Sequence, residues 1–119
     1  MSAGHLRLLP RILALSILLL LTGCGAGPAD TAEDFLGLVA AGELTEASEL
    51  ATDNTMQLLR MAQNFGALEV DPDFDFELIE EEVDGNHATI TYRGKKDGKV
   101  ESIHLVKLDD EWKVHEQKH

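Results

Sequence analysis

The sequence predicts an α+β domain, with three helices packed on one face of a four-stranded antiparallel meander. Two observations lead there. Apolar residues recur every three or four positions between residues 31 and 66, then every second position between 74 and 114. Turn-forming residues punctuate both halves at Gly42, Asp84-Gly85-Asn86, Asp97-Gly98 and Asp109-Asp110.

The elements follow in order. Asp30 or Thr31 is expected to cap the first helix, with Phe35, Leu38 and Val39 on its apolar face and Gly42 as its left-handed end. A short second helix is expected over about Thr45 to Ala51, with Leu44, Ala47, Leu50 and Ala51 inward. A third starts at Asp53 or Asn54, aligns Met56, Leu59, Ala62 and Phe65, and closes at Asn64-Phe65-Gly66. Phe74, Phe76 and Leu78 alternate with Asp73, Asp75 and Glu77, as a half-buried strand does. Ala88, Ile90 and Tyr92 mark a second strand, Lys99 to Leu108 a third, and Trp112 with Val114 a short fourth. The expected core is Phe35, Leu38, Leu50, Leu59, Phe65, Phe74, Phe76, Ile90, Tyr92, Leu105 and Trp112.

The first 23 residues differ in kind. Arg7 and Arg11 lie in a basic opening, Ile12 to Leu21 is an apolar run of ten residues, and Thr22-Gly23 are small. This is the build of an export signal with its cleavage site. Ten residues make about 15 Å of helix, roughly half the hydrocarbon thickness of a bilayer, which argues against a permanent span. The run ends in Leu21-Thr22-Gly23-Cys24. That tetrad resembles the lipobox of bacterial lipoproteins. The resemblance implies cleavage between Gly23 and Cys24, a diacylglycerol thioether on Cys24, and a further acyl chain such as palmitate on the new amine. Two or three chains anchor firmly where one is marginal. Gly25 follows in place of the Asp that resembles an inner-membrane retention signal. The implied address is the outer membrane, facing the periplasm, if the cell is Gram-negative. Residues 1–23 are thus expected as signal, 24–30 as lipidated N-terminus and flexible tether, and 31–119 as the domain.

Charge and chemistry narrow the function classes. Removing residues 1–23 leaves 96 residues with all 22 acidic side chains and eight Lys and Arg, a formal charge near −14. Such a surface has no basic patch to hold nucleic acid. Glu69 to Asp84 holds nine carboxylates in sixteen residues. Asp71, Asp73, Asp75 and Glu82 take the first, third, fifth and twelfth places of a calcium loop, but Phe76 stands where that loop needs glycine. The acidic strand Asp71, Asp73, Asp75 and Glu77 is therefore read as a possible contact surface for a basic partner, and no metal or other cofactor is expected. His5 leaves with the signal, His119 is terminal, and although His87 and His104 could meet across neighbouring strands, nothing in sequence brings in the others to form a zinc set. No Ser sits in a glycine-rich elbow. Tyr92 is the single tyrosine, and Glu101 and Asp75, its conceivable acid partners, occupy strand positions that alternation points outward.

Ala32-Glu33-Asp34-Phe35-Leu36, Ala41-Gly42-Glu43-Leu44-Thr45-Glu46-Ala47 and Val106-Lys107-Leu108-Asp109-Asp110-Glu111-Trp112-Lys113-Val114 together resemble small bacterial lipoproteins carrying a domain of unknown function. That family is similar to the cystatin-like, nuclear-transport-factor-like α+β cone. The resemblance implies a cone whose larger members bind small molecules and whose rarer members are enzymes. The expected role is a membrane-anchored, non-catalytic binding or accessory module that meets an envelope protein or small ligand. The alternative is small-molecule binding or an isomerase-type enzyme on the same cone. Cys24→Ser is expected to abolish incorporation of labelled lipid precursor and leave the precursor unprocessed by the lipoprotein route. Gel fractionation of labelled membranes checks this.

Overall fold

A computed structural model describes residues 26–116 of the chain. The expected signal, the Gly23–Cys24 cleavage and lipidation site, His5 and His119 lie outside the described residues. The architecture is three helices and a four-stranded antiparallel sheet in the order β1-β2-β3-β4.

Helix α1 spans Pro28–Ala40. It begins earlier than expected: Gly27 is the N-cap, and the Asp30 carboxylate accepts the Gly27 N–H at 3.4 Å. Proline explains the shift, because its fixed φ suits the first helical position, where no N–H is needed. Pro28 is buried, so residues 28–30 belong to the folded domain, which was expected to begin at 31. Gly42, at φ 80, ends the helix as expected. Helix α2 covers Leu44–Ala47 and tightens into a 3₁₀ turn over Ser48–Leu50. Helix α3 spans Asp53–Asn64, capped by the Thr52 hydroxyl.

The strands are β1 (Glu77–Asp84), β2 (His87–Arg93), β3 (Val100–Leu108) and β4 (Glu111–Val114). The first strand starts later than its alternation suggested. Asp71 to Phe76 form a turn and loop, in which Asp71 Oδ1 accepts the Asp73 N–H at 3.1 Å and the Asp71 carbonyl accepts the Phe74 N–H at 3.2 Å. Local side-chain bonding of aspartate outcompetes pairing there. Phe76 still reaches the sheet and stacks on Tyr92 at 5.6 Å between centroids.

Alanines and aliphatic residues build the core. Ala32, Phe35, Ala47, Ala51, Met56, Ala88, Ile90, Tyr92, Ile103, Leu105 and Val114 are buried. Leu38, Leu50, Leu59, Phe76 and Trp112 pack against it only half-buried. Phe74 is half-buried too, against the Cα face of Gly94. Phe65 was expected inside, yet it is 84 % exposed. Helix α3 buries only Thr55 and Met56, in its first turn, and Phe65 lies past its far end. Trp112 shares the inner face with Val114, but Lys107 Nζ sits 5.7 Å from its ring centroid and keeps one face of the indole at the surface.

One junction joins helices to sheet. Ala51 bridges Val114 in parallel, and the Val114 carbonyl accepts from Thr52 N–H at 2.9 Å and from the Thr55 hydroxyl at 3.1 Å. The Thr55 hydroxyl in turn accepts the Glu116 N–H at 2.8 Å, and Thr52 Oγ1 lies 2.8 Å from His115 Nδ1.

The β1–β2 hairpin turns through Gly85, at φ 62, and Asn86, the glycine-first arrangement of a type II′ turn. The β3–β4 turn puts two aspartates in left-handed conformation, Asp109 at φ 51 and Asp110 at φ 65. Each such residue costs roughly 1–2 kcal/mol, whereas glycine adds about 0.5–1 kcal/mol of unfolded-chain entropy. Asp110→Gly is therefore expected to stabilise the domain by about 0.5–1 kcal/mol and raise its melting temperature by roughly 2–8 °C. A thermal melt by circular dichroism checks it.

Candidate functional site

The mouth of the cone lies between α1, α3 and the inner face of the sheet. Phe35, Leu36, Val39, Leu58, Leu59 and Ile103 line a hollow of about 260 Å³, and Thr55, Tyr92, Ser102 and Glu116 bring polar atoms to it. That is slightly below the roughly 300 Å³ at which drug-sized ligand pockets begin. Tyr92 enters because alternation on β2 turns Ala88, Ile90 and Tyr92 inward. Its phenol is pushed up to about 12, first by burial, then by the negative charges of Glu101 and Glu116. At neutral pH the group is a hydrogen-bond donor and not a base.

Glu101 is placed differently from expectation. It pairs directly with Tyr92 across β2 and β3, so both share the helix-facing side, although Glu101 remains exposed. Leu105 lies inward as expected, and Glu101, four residues before it on the same side of β3, lies inward with it. Asp75 stands in the loop before β1, where its N–H donates to the Gly94 carbonyl at 2.8 Å.

The four carboxylates of the expected contact surface do not form one strand face. Asp71 is half-buried, with a carboxylate oxygen 3.2 Å from Lys95 Nζ, and Asp73 and Asp75 flank it in the turn. Only Glu77 lies in β1, and it pairs with Arg93 at 3.3 Å. The carboxylates that do share a face are Glu77, Glu80, Glu82 and Asp84, opposite Arg93, Thr91, Thr89 and His87. The bulge between Leu78 and Glu80 produces this set, because Ile79 is an extra residue that resets the alternation. Nothing in the sequence marks the bulge.

Further hollows are open to the surface. One, of about 520 Å³, lies beside Glu33, Leu38, Leu50, Phe74 and Phe76. Another, of about 510 Å³, lies beside Ala26, Thr31, Leu50, Lys107 and Trp112, close to where the described chain begins. Among the described residues, no three of His, Cys, Asp and Glu converge to hold a metal ion. On the last strands, His104 Nδ1 approaches Glu116 Oε1 at 3.4 Å, and the same oxygen accepts the His104 N–H at 2.8 Å. Ser102 lies two residues away without a hydrogen bond to either side chain. The Thr52, Thr55 and Glu116 contacts were missed in the sequence, where the only signal was the helix cap at Thr52.

Comparison with known proteins supports the fold alone. No family model matches the chain, and no curated protein matches it. A Campylobacter jejuni crystal structure, provisionally named an NTF2-like transpeptidase, superposes with a TM-score of 0.52 at 18 % identity, covering 75 % of this chain and 97 % of that one. The α+β fold is thus similar to the NTF2-like one.

The phenol makes stability depend on pH. Its folded value lies above the ordinary value of 10.0. The unfolded chain therefore loses this proton first, and stability falls as pH rises from about 10 to about 12. The loss is expected to be on the order of 2 kcal/mol. Tyr92 is the single tyrosine, so the tyrosinate absorbance of the native and urea-unfolded chain reads this group alone. Tyr92→Phe is expected to flatten the corresponding part of the urea-midpoint profile.

Proposed function

We propose that this chain is a lipid-anchored, extracytoplasmic binding module. In this reading residues 1–23 are removed, Cys24 carries the lipid, and the domain acts by contact with another component of the cell envelope. In a cell with two membranes it sits on the outer one, facing the periplasm. The carrying observation is the buried position of Pro28 at the start of α1. Only Gly25, Ala26 and Gly27 separate Cys24 from the folded body, a reach of about 10 Å. A lipid there holds the domain against the membrane surface, where neighbours are met and diffusing substrates are not favoured. The small, apolar cone mouth with a protonated phenol suits recognition better than proton abstraction. The NTF2-like neighbour is named a transpeptidase, and fold likeness alone does not carry activity across.

A second reading is an isomerase-type enzyme or small-molecule binder on the same cone. Tyr92, flanked by Glu101 and Glu116 over an apolar hollow, favours it. One set of experiments separates the two. Photocrosslinkers placed at Asp73 and at Glu82 in intact cells are expected to give a discrete adduct, and charge reversal at Asp73, Asp75 and Glu77 to weaken capture at the first position. No adduct at either position overturns the contact reading. Turnover of a small carbonyl compound by the purified protein, lost in Tyr92→Phe, would put the enzyme reading in its place.

A further inference from the structure

We propose that the free edge of β1 accepts an extended segment of alternating basic and apolar residues as a fifth strand of the sheet. The proposal rests on the contact reading above and adds the chemistry of the partner.

Strand β1 is terminal in the sheet, and among the described residues only β2 pairs with it. It is eight residues long, and every one of them is exposed. Native sheets seldom leave an edge of this length uncovered, because its unpaired N–H and C=O groups template another strand.

The register sorts the side chains of this edge into two rows. Leu78 and Val83 lie opposite Tyr92 and Ala88, so they share the apolar, helix-facing side. They are 46 % and 52 % exposed. A strand laid beside them with apolar residues on that side would take both out of water. The opposite side carries Glu77, Glu80, Glu82 and Asp84. Of these Glu77 has Arg93, whereas Glu80 and Glu82 face Thr91 and Thr89 and, among the described residues, form no ion pair. Lysine or arginine on an added strand would stand about 5 Å from them, the distance of a direct cross-strand pair.

The same row selects against a second copy of this chain. Antiparallel pairing of two β1 edges would set carboxylate against carboxylate, which is destabilising. The Ile79 bulge, and the inward Glu81 carboxylate held by the Ala29 N–H at 3.2 Å, blunt an indiscriminate pairing further. The edge is therefore closed to itself and open to a strand of opposite charge. The acidic excess of the chain steers such a segment toward it.

The test uses the full chain in nonionic detergent and a fluorescent peptide of eight alternating lysines and valines, read by anisotropy at low salt. Binding is expected, and it should weaken as salt screens the charges. A glutamate–valine peptide, and a lysine–valine peptide with alternate amides N-methylated, are each expected to bind at least about tenfold more weakly. Glu80→Lys with Glu82→Lys, and separately Val83→Lys, should give similar losses while circular dichroism stays native. Equal binding of the N-methylated peptide would reduce the effect to charge alone and overturn strand addition. Undiminished binding to the charge-reversed chain would overturn the role of the carboxylates. A dimer by sedimentation, broken by Val83→Lys, would make a second copy the occupant and overturn the proposal. Failure of the peptide while the in-cell adduct at Glu82 persists overturns this mode of binding only. Failure of both overturns the contact reading as well.

Discussion

The carbonyl of Val114 is the point on which the domain closes. It takes hydrogen bonds from the Thr52 N–H and the Thr55 hydroxyl, and the side chain beneath it is fully buried. A buried carbonyl with no partner would cost about 1–3 kcal/mol, and a buried threonine hydroxyl is no cheaper. Each satisfies the other. The geometry that results places the start of α3 beside the last strand, and α1 and α2 then fill the inner face between them. Thr55 is also bonded to the Glu116 N–H, so the chain beyond β4 is held to the same point.

From that junction the packing is close on one flank of the sheet and thin on the other. Ala32, Ala47, Ala51 and Ala88 are buried, and small side chains at these four places let the helices approach β2, β3 and β4 closely. Strand β1 lies beyond this cover. Its contact with the helices includes one long carboxylate, Glu81, reaching the N-terminal turn of α1. An acceptor there also meets the positive end of the helix dipole, so this tie is well placed. The consequence is a sheet with one finished side and one unfinished edge.

Much of this was legible in the sequence. Periodicity separated helices from strands, Gly42 and Gly85 marked their turns, and Ile90, Tyr92, Leu105 and Phe35 were assigned to the core where they are found. The misplacements have physical causes. Pro28 draws the first helix back three residues, a local preference that outranks the caps offered by Asp30 and Thr31. The Asp71 side chain accepts the Asp73 N–H, and the turn it holds delays β1. Phe65 was assigned by spacing, but spacing identifies a face of a helix and not whether the sheet extends under it. Trp112 was weighted by size, while the fully buried place on β4 went to Val114, the residue opposite Leu105. The cone mouth was the least legible part. The residues that line it come from α1, α3, β2, β3 and the chain after β4, and only the fold brings them together.

The threonine–valine junction has a consequence for when the chain becomes a protein. Thr55 and Val114 are 59 positions apart. The β1–β2 and β2–β3 hairpins are local and can form as soon as their own residues exist. The helices that come first in synthesis can meet β2 and β3 once those hairpins exist, but the Val114 carbonyl that α3 binds is missing until the final strand has emerged. The junction between α3 and the sheet therefore closes last. A polypeptide built this way completes its core only when its last strand arrives.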